Sequence, residues 1–237
     1  MGRIFETRKH TIFARNDRMS KLFTKYGKEI AIAVKAGGPD IAGNSRLRAA
    51  VQNAKAQNMP KDRIEAAIKR ASSKDDKGLD EVIYEGYGPH GVAIMVETGT
   101  DNTTRTVANM RLIFNRGGGT LGTQGSVEFM FTRKGVFKFN PAGLNMDDLE
   151  LELIDAGAED MVKDDEGNIT VYTAFSDYGK MQHFFEEKGI PMLNTELQRL
   201  PNAHTEGLTD EQVDEVLDLI AKLEDDDDVQ KVFHSLA

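Results

Sequence analysis

Cations recur at helical spacing in the first third of the chain, and they offer the clearest chemistry in the sequence. They lie opposite an apolar stripe that runs from Met19 to Val34, and only Glu29 interrupts them. Such a row can neutralise successive phosphates of a nucleic acid, whereas an ordinary solvated face usually mixes charges of both signs. The pattern therefore favours phosphate contact by this face. Its members are Arg18, Lys21, Lys25, Lys28 and Lys35.

A second pattern is the run G-Y-G-P-H-G from Gly86 to Gly91, which is a literal G-x-G-x-x-G. In dinucleotide-binding folds this motif follows a strand and opens a helix, whose N-terminus meets the pyrophosphate. Here a strand-like apolar run, Val92–Glu97, follows the glycines, and Pro89 interrupts them. The run therefore predicts a glycine-rich turn that leads into a strand.

The glycines between Gly117 and Gly125 could cradle a phosphate through their backbone N–H groups. No lysine follows them, so they do not form a Walker loop, and they predict a tight or bulged connection between strands. Arg105 begins the preceding helix, where a cation opposes the helix dipole. We expect a salt bridge to stabilise it there.

The sequence contains no recognisable catalytic arrangement. Its five histidines are scattered, and it has no metalloprotease, nucleophile-elbow or protein-kinase motif. It also has no cysteine, which excludes disulfides and thiolate metal sites. We therefore predict a protein that is not an enzyme, with no cofactor and no metal site.

The acidic run Glu224–Asp228 leaves three interpretations open. Clustered carboxylates can hold Mg²⁺, a run of like charge can form a solvated turn, or the run can dock on the basic helices. The acidic turn Asp164–Asn168 lacks the ligand spacing of a calcium loop and predicts a hairpin turn.

The net charge of −9 hides an asymmetry along the chain. Residues 1–78 have a charge balance of +10, and residues 79–237 have a balance of −19. A basic part beside an acidic part indicates either nucleic-acid contact by the first or mutual attraction between the two. The longest apolar runs are too short to cross a bilayer, and the N-terminus has no apolar signal core. We therefore expect a cytoplasmic protein that does not bind membranes.

Apolar residues at three- and four-residue steps predict three N-terminal helices. The predicted bounds are Asp17–Ala36, Asn44–Gln57 and Pro60 to about Ala71. Small, Ala-rich contacts between them indicate a helical bundle. Residues 1–16 lack this periodicity and predict an extended or disordered basic arm. Ser72–Gly78 is polar and rich in turn-forming residues, which is typical of a linker.

Strand and helix patterns alternate in the rest of the chain. Between Val136 and Leu200 they follow the order βαββαβ, which is ferredoxin-like. The stretch before them holds a strand, a capped helix at about Thr103–Asn115 and a strand at Val127–Phe131, and it lacks one helix and one strand. The helix after Thr209 and the strand Val229–Phe233 supply these missing elements.

We therefore predict an α+β multidomain fold. An N-terminal three-helix bundle precedes two ferredoxin-like βαββαβ domains, one of which is inserted in the other. The predicted bounds are 1–79 for the arm and bundle, 80–132 and 206–237 for the two parts of the second domain, and 133–205 for the inserted domain.

Several stretches of the sequence resemble one family, the YebC/PmpR-type transcriptional regulators, whose mitochondrial relative is a translational activator of cytochrome c oxidase. The resemblance implies a DNA-binding regulator of transcription, or a translation factor that works on the ribosome and relieves stalled elongation. The matching stretches are L-R-A-A-V (Leu47–Val51), N-M-P-K-D (Asn58–Asp62), Y-E-G-Y-G-P-H-G-V-A (Tyr84–Ala93), T-D-N-T-T-R-T-V-A (Thr100–Ala108), G-G-G-T-L-G-T-Q-G-S-V (Gly117–Val127) and L-E-D-D-D-D-V-Q (Leu223–Gln230).

We predict that the N-terminal part contacts the phosphates of DNA, or of ribosomal RNA in the alternative. A third hypothesis is that the acidic α/β domains engage a protein partner. No zinc-finger, basic-zipper or RNA-recognition signature is present, so the prediction concerns phosphates rather than bases. The predicted nucleic-acid-binding residues are Arg3, Arg8, Lys9, Arg15, Arg18, Lys21, Lys25, Lys28, Lys35, Arg46, Arg48, Lys55, Lys61, Arg63, Lys69 and Arg70.

Overall fold

The computed structural model describes residues 3–73 and 78–237, with side chains from Met19 onward. The helices within these residues are α1 (Arg3–Gly37), α2 (Ser45–Ala56), α3 (Lys61–Ala71), α4 (Thr103–Arg116), α5 (Met146–Asp155), α6 (Tyr178–Glu187) and α7 (Asp210–Asp225). The strands are β1 (Asp80–Tyr87), β2 (Ala93–Thr100), β3 (Thr120–Leu121), β4 (Phe131–Phe139), β5 (Ala158–Lys163), β6 (Ile169–Ala174), β7 (Met192–Pro201) and β8 (Val229–His234). None of the described helices combines the length and the apolar character that a membrane span requires.

The first three helices form the predicted bundle around a core that includes Ile30, Leu47 and Ile64. Asn44 fixes the angle between the first two helices. Its side chain accepts a hydrogen bond from the backbone N–H of Leu47, at 3.0 Å, and donates one to the carbonyl of Ala33, at 2.7 Å. The same side chain therefore caps α2 and ties α2 to α1.

The prediction of an extended or disordered arm is wrong for residues 3–16, because α1 begins at Arg3. This segment contains no glycine or proline, so nothing in it breaks a helix that the apolar stripe after Met19 has nucleated. Met1 and Gly2, the first two residues of the predicted arm, lie outside the described residues.

The inserted domain has the ferredoxin-like fold that the sequence predicts. Its antiparallel sheet has the strand order β5-β6-β4-β7, and α5 and α6 supply the two crossovers. Phe137, Phe139 and Phe185 belong to its core; the ring of Phe185 stacks on Phe137 and packs at a tilt against Phe139.

We call the domain formed by residues 80–132 and 206–237 the enclosing domain. The strands of its sheet have the same spatial arrangement as those of the inserted domain, but they follow one another differently along the chain. Its sheet has the order β3-β1-β2-β8, and all pairs are antiparallel. In the sheet, β1 lies between β2 and β3. Along the chain, β1 precedes β2, and the two strands form a hairpin. The predicted strand at Val127–Phe131 is therefore wrong as a member of this sheet. Glu128–Met130 forms a single 3-10 turn, and Phe131 begins β4 of the other sheet.

The G-Y-G-P-H-G run connects β1 to β2, so the prediction of a glycine-rich turn is confirmed and its preceding strand was missed. His90 has φ 60° and Gly91 has φ 77°, which places both in the left-handed region. A strand rather than a helix follows the glycines, so the run lacks the strand–glycine–helix order of a dinucleotide-binding motif.

A buried carboxylate fixes the second glycine-rich segment. Glu85 is 3% exposed and accepts hydrogen bonds from the N–H groups of Gly125 (2.7 Å), Val127 (2.8 Å) and Glu128 (2.9 Å). Burial opposes the ionisation of Glu85, but these three hydrogen bonds lower its pKa below the ordinary value. The segment is therefore held by a specific charged anchor, as a tight connection requires.

Helix α2 covers the outer edge of β7 and joins the bundle to the inserted domain. The buried Asn53 side chain donates to the carbonyl of Thr195, at 2.6 Å, and accepts from its N–H, at 3.0 Å. These two bonds imitate a neighbouring strand and satisfy part of a sheet edge that would otherwise be unpaired. The domain boundaries given above stay predictions.

We expect the Glu85→Gln variant to be less stable than wild type by about 1–3 kcal/mol. An NH2 group then replaces one carboxylate oxygen, so at least one of the three backbone donors loses its acceptor and the others lose a charged one. Urea unfolding at neutral pH measures the change. Glu150→Gln, on the exposed face of α5, is the matched control. Equal stability of the two variants would contradict the anchoring role of Glu85.

Candidate nucleic-acid interface

The lysine row of α1 faces the acidic run at the end of α7. Lys21 forms an ion pair with Asp225. Lys25 donates to the carbonyl of Glu224, at 2.8 Å. Lys28 donates to the carbonyl of Asp227, at 2.7 Å. Of the three interpretations of Glu224–Asp228, the structure therefore shows docking on the basic bundle.

Asp228 is the centre of this contact. Its carboxylate is buried and accepts hydrogen bonds from Lys28 (2.9 Å), Arg105 (2.7 Å) and Thr106 (2.9 Å). Burial opposes its charge, but these donors lower the pKa of Asp228 to about 2. The salt bridge expected for Arg105 is confirmed, and it joins the first turn of α4 to the bundle through one carboxylate.

Three further predicted residues pair with acidic side chains outside the bundle. Lys35 lies 3.3 Å from Asp80. Arg46 makes a two-pronged contact with Glu81, in which Nη1 and Oε2 are 2.9 Å apart. Arg48 lies 2.8 Å from Glu186 and also donates to two backbone carbonyls. These cations connect the bundle to β1 and to α6.

A separate set of cations lies on the exposed surface of the bundle. Its members are exposed on α2 and α3, and within the described residues the closest acidic contact is between Lys61 and Glu65, 3.5 Å apart. The guanidinium of Arg63 lies 5.7 Å from the ring centre of Phe23. We call this set the outward cations: Lys55, Lys61, Arg63, Lys69 and Arg70.

The predicted residues Arg3, Arg8, Lys9, Arg15 and Arg18 belong to α1, but their side chains lie outside the described part of the structure. Binding by any of the predicted residues stays a prediction. The structure divides them into side chains that contact the acidic part of the chain after residue 79, the outward cations, and these five.

A cleft of about 790 Å³ lies where the bundle and both sheets meet. Ion pairs cross it or line it. Arg199 of β7 donates to Glu97 of β2, at 2.9 Å. Lys231 of β8 donates to Glu196 of β7, at 2.6 Å. We call this space the interdomain cleft. Its wall on the bundle side includes Tyr26 and Glu29 of α1 and Arg46 and Asn53 of α2.

Burial perturbs the titration of several groups in the interdomain cleft. It raises the pKa of Tyr26 and of Tyr178 to about 12, so both phenols stay neutral at physiological pH. Burial also raises the pKa of Glu29. The negative charge of Glu196 adds to this increase, and the positive charge of Lys231 opposes it. Perturbed groups gathered in a cleft mark a candidate binding site.

Sequence reasoning missed this cleft because its residues come from α1, α2, α6, β1, β2, β4, β7 and β8 and from the 3-10 turn before α6. The available signal was a charged residue within a strand, as with Glu97 in β2 and Lys231 in β8. No group of three or more His, Asp or Glu side chains in the described residues could hold a metal ion.

Two family models match the chain. The model described as "TACO1/YebC protein N-terminal domain" matches residues 3–74, and the model described as "TACO1/YebC second and third domain" matches residues 79–236. Among curated proteins, a "Probable transcriptional regulatory protein" of Cytophaga hutchinsonii is 58% identical and one of Myxococcus xanthus is 52% identical. Each alignment covers 100% of this chain and at least 99% of the relative.

One solved structure is also similar. A conserved hypothetical protein from Aquifex aeolicus superposes with a TM-score of 0.82 at 35% identity, over 92% of this chain and 90% of that one. The fold described above is therefore shared with an experimentally determined relative.

The buried Asp228 predicts a pH dependence of stability. Its folded pKa of about 2 lies below the ordinary 3.8, so its stabilising effect is complete above the ordinary pKa and is lost as the pH falls through the folded one. Allowing for solvent screening, we expect this group to contribute about 1–2 kcal/mol to the free energy of unfolding at neutral pH.

Urea unfolding between about pH 6 and pH 2 measures this contribution. Asp228→Asn should be less stable at neutral pH and should lose less stability on acidification than wild type. Asp227→Asn is the control, because its carboxylate contacts no donor in the described residues. If both variants follow the same pH profile, the assigned role of Asp228 is wrong.

Proposed function

Because this chain belongs to the TACO1/YebC family, we propose that it is a DNA-binding regulator of transcription whose N-terminal helices contact nucleic-acid phosphates. The names of its relatives support a regulatory role at the level of the family. We propose that the protein acts by binding, without catalysis.

The outward cations carry this proposal. Five basic side chains on α2 and α3 face solvent, while the basic side chains on the inner faces of the bundle contact the acidic domains. A cation with an internal carboxylate partner has little to gain from a phosphate, since it must break one charged contact to form another. Solvated cations can neutralise phosphates and release counterions without that cost.

The same surface also supports ribosomal RNA as a second candidate target. Phosphate contacts position a protein on a nucleic acid but do not read its sequence. The outward cations supply such contacts on a helical bundle that shows no base-reading signature, so a folded RNA backbone fits them as well as duplex DNA. The protein would then act in translation.

A third candidate function rests on α5, whose outer face is acidic and apolar. Leu151 is 65% exposed and Ile154 is 52% exposed, and Asp147, Glu150 and Asp155 surround them. Exposed apolar residues ringed by charge are typical of protein-binding surfaces. A basic protein partner fits this face.

We expect the combined substitution of Lys61, Arg63, Lys69 and Arg70 by Gln to weaken binding to duplex DNA uniformly across sequences. If each cation contacts one phosphate, the slope of log affinity against log salt concentration should fall by about 3–4. Fluorescence anisotropy at several salt concentrations measures both quantities.

The control replaces Arg111, Arg116, Lys163 and Lys222 by Gln, which removes the same number of lysines and arginines from exposed positions elsewhere. Equal salt slopes for the two variants would refute the bundle as the binding surface. Crosslinking in growing cells, followed by sequencing of the attached DNA and RNA, separates the targets: promoter-proximal DNA supports transcription, and one dominant region of ribosomal RNA supports translation.

A further inference from the structure

The interdomain cleft has a size and a lining that suit a small organic ligand. Its volume of about 790 Å³ falls in the range of known ligand pockets, roughly 300–1,000 Å³. Aromatic and polar side chains alternate around it, among them Tyr26, Phe175, Tyr178 and Asn194. All three domains contribute to the wall, as is common for ligand sites.

Most charged side chains of the cleft already have partners in the chain. Arg46 pairs with Glu81, and Arg199 pairs with Glu97. Lys231 pairs with Glu196. These pairs hold the walls together and leave few groups available for a ligand.

Three polar groups of the cleft have no hydrogen-bond or ion-pair partner in residues 3–73 and 78–237. They are the carboxyl group of Glu29, the guanidinium of Arg133 and the side-chain amide nitrogen of Gln230, which is buried. Of the three groups, only the Gln230 nitrogen is fully buried, and a buried donor without an acceptor calls for an explanation. One explanation is a ligand that supplies the missing hydrogen-bond partners. Glu29 is half-buried and Arg133 is exposed, so both can be reached by a ligand.

Arg133 lies at the place where an acidic group of a ligand fits. Its guanidinium stacks on the ring of Phe175, 4.1 Å from the ring centre, which orients the planar fork. Phe175 begins the 3-10 turn Phe175–Asp177 that leads into α6, and Tyr178 and Gly179 at the start of α6 also line the cleft.

Glu29 provides the opposite chemistry in the same space. Its carboxyl group is held within the cleft by α1, and both Glu29 and Arg133 lie close enough to Arg46 and Glu97 for those charges to shift their pKa values. Burial raises the pKa of Glu29, so a protonated amine or a pair of N–H donors would stabilise its charged form. The same cavity therefore offers a cation, Arg133, to an acidic group and a carboxyl group, Glu29, to N–H donors.

We propose that the interdomain cleft binds a small amphoteric organic molecule, which presents an acidic group to Arg133 and N–H donors to Glu29. Two kinds of molecule carry this chemistry: a purine nucleotide, with its phosphate and the N–H groups of its base, and a peptide or amino acid, with its carboxylate and ammonium group. The site is independent of the outward cations and of the proposed nucleic-acid contact.

Isothermal titration calorimetry of the full chain tests the proposal with guanosine 5′-monophosphate and with glycylglycine. We expect at least one of them to bind with a Kd below about 1 mM, and inorganic phosphate to bind at least about ten-fold more weakly because it contacts only Arg133. Binding of the nucleotide alone, or of the dipeptide alone, identifies which of the two classes of ligand the cleft accepts. Binding of neither, or equal binding of phosphate, would overturn the proposal.

Variants locate the site. Glu29→Gln and Arg133→Gln should each weaken binding by about ten-fold or more, since each loses a charge-assisted contact. Arg133→Lys keeps the charge but loses the planar fork, and it should also weaken binding; it replaces Arg133→Gln if that variant does not fold. Glu150→Gln and Arg116→Gln, both exposed outside the cleft, are the matched controls. Unchanged affinity in the cleft variants would place any binding elsewhere and refute the site.

Discussion

One buried carboxylate, that of Asp228, connects parts of the chain that are distant in sequence. Lys28 of the bundle, Arg105 at the start of α4 and the hydroxyl groups of Thr100 and Thr106 all donate to it. A buried charge is stable only when its lone pairs are occupied by good donors. The bundle, the α4 N-terminus and the turn before β8 must therefore keep their relative positions for this group to stay ionised, and the rest of the arrangement depends on it.

Polar contacts also join the bundle to the sheets and the two sheets to each other. Asn53 pairs with the edge of β7, and the ion pairs Arg46–Glu81 and Lys231–Glu196 lie around the interdomain cleft. Interfaces between domains of one chain are commonly polar in this way. The residues of these polar contacts line the interdomain cleft, where burial perturbs the pKa values of Tyr26, Glu29 and Tyr178.

The charge asymmetry of the chain has two structural meanings. Cations on the inner faces of the bundle attract the acidic domains of the same chain, as Lys21 with Asp225 and Arg46 with Glu81 demonstrate. Cations on α3 and Lys55 remain solvated and available to another polyanion. A row of like charges in a sequence therefore does not by itself distinguish an external ligand from an internal one, because a carboxylate and a phosphate satisfy a lysine in the same way.

Local patterns in the sequence predict the three-helix bundle, the βαββαβ order of the inserted domain and the closing role of the C-terminal helix and strand. Local periodicity and capping control these features, and they are readable within windows of ten to twenty residues. It also predicted the glycine-rich turn before β2 and the salt bridge of Arg105. The start of α1 at Arg3 was mispredicted, because residues 3–16 have weak amphipathic character and gain their helical state by continuing a helix nucleated further along.

Long-range contacts in the folded chain set which strand lies between β2 and β3, and which cations face the acidic run. Pairing of β1 with both neighbours depends on contacts between residues far apart in sequence, so no local pattern specifies it. The partners of Lys28 and Arg46 are likewise set by the docking of whole domains. The interdomain cleft exists only in the assembled fold, since Glu29 and Arg133 come together there from separate domains.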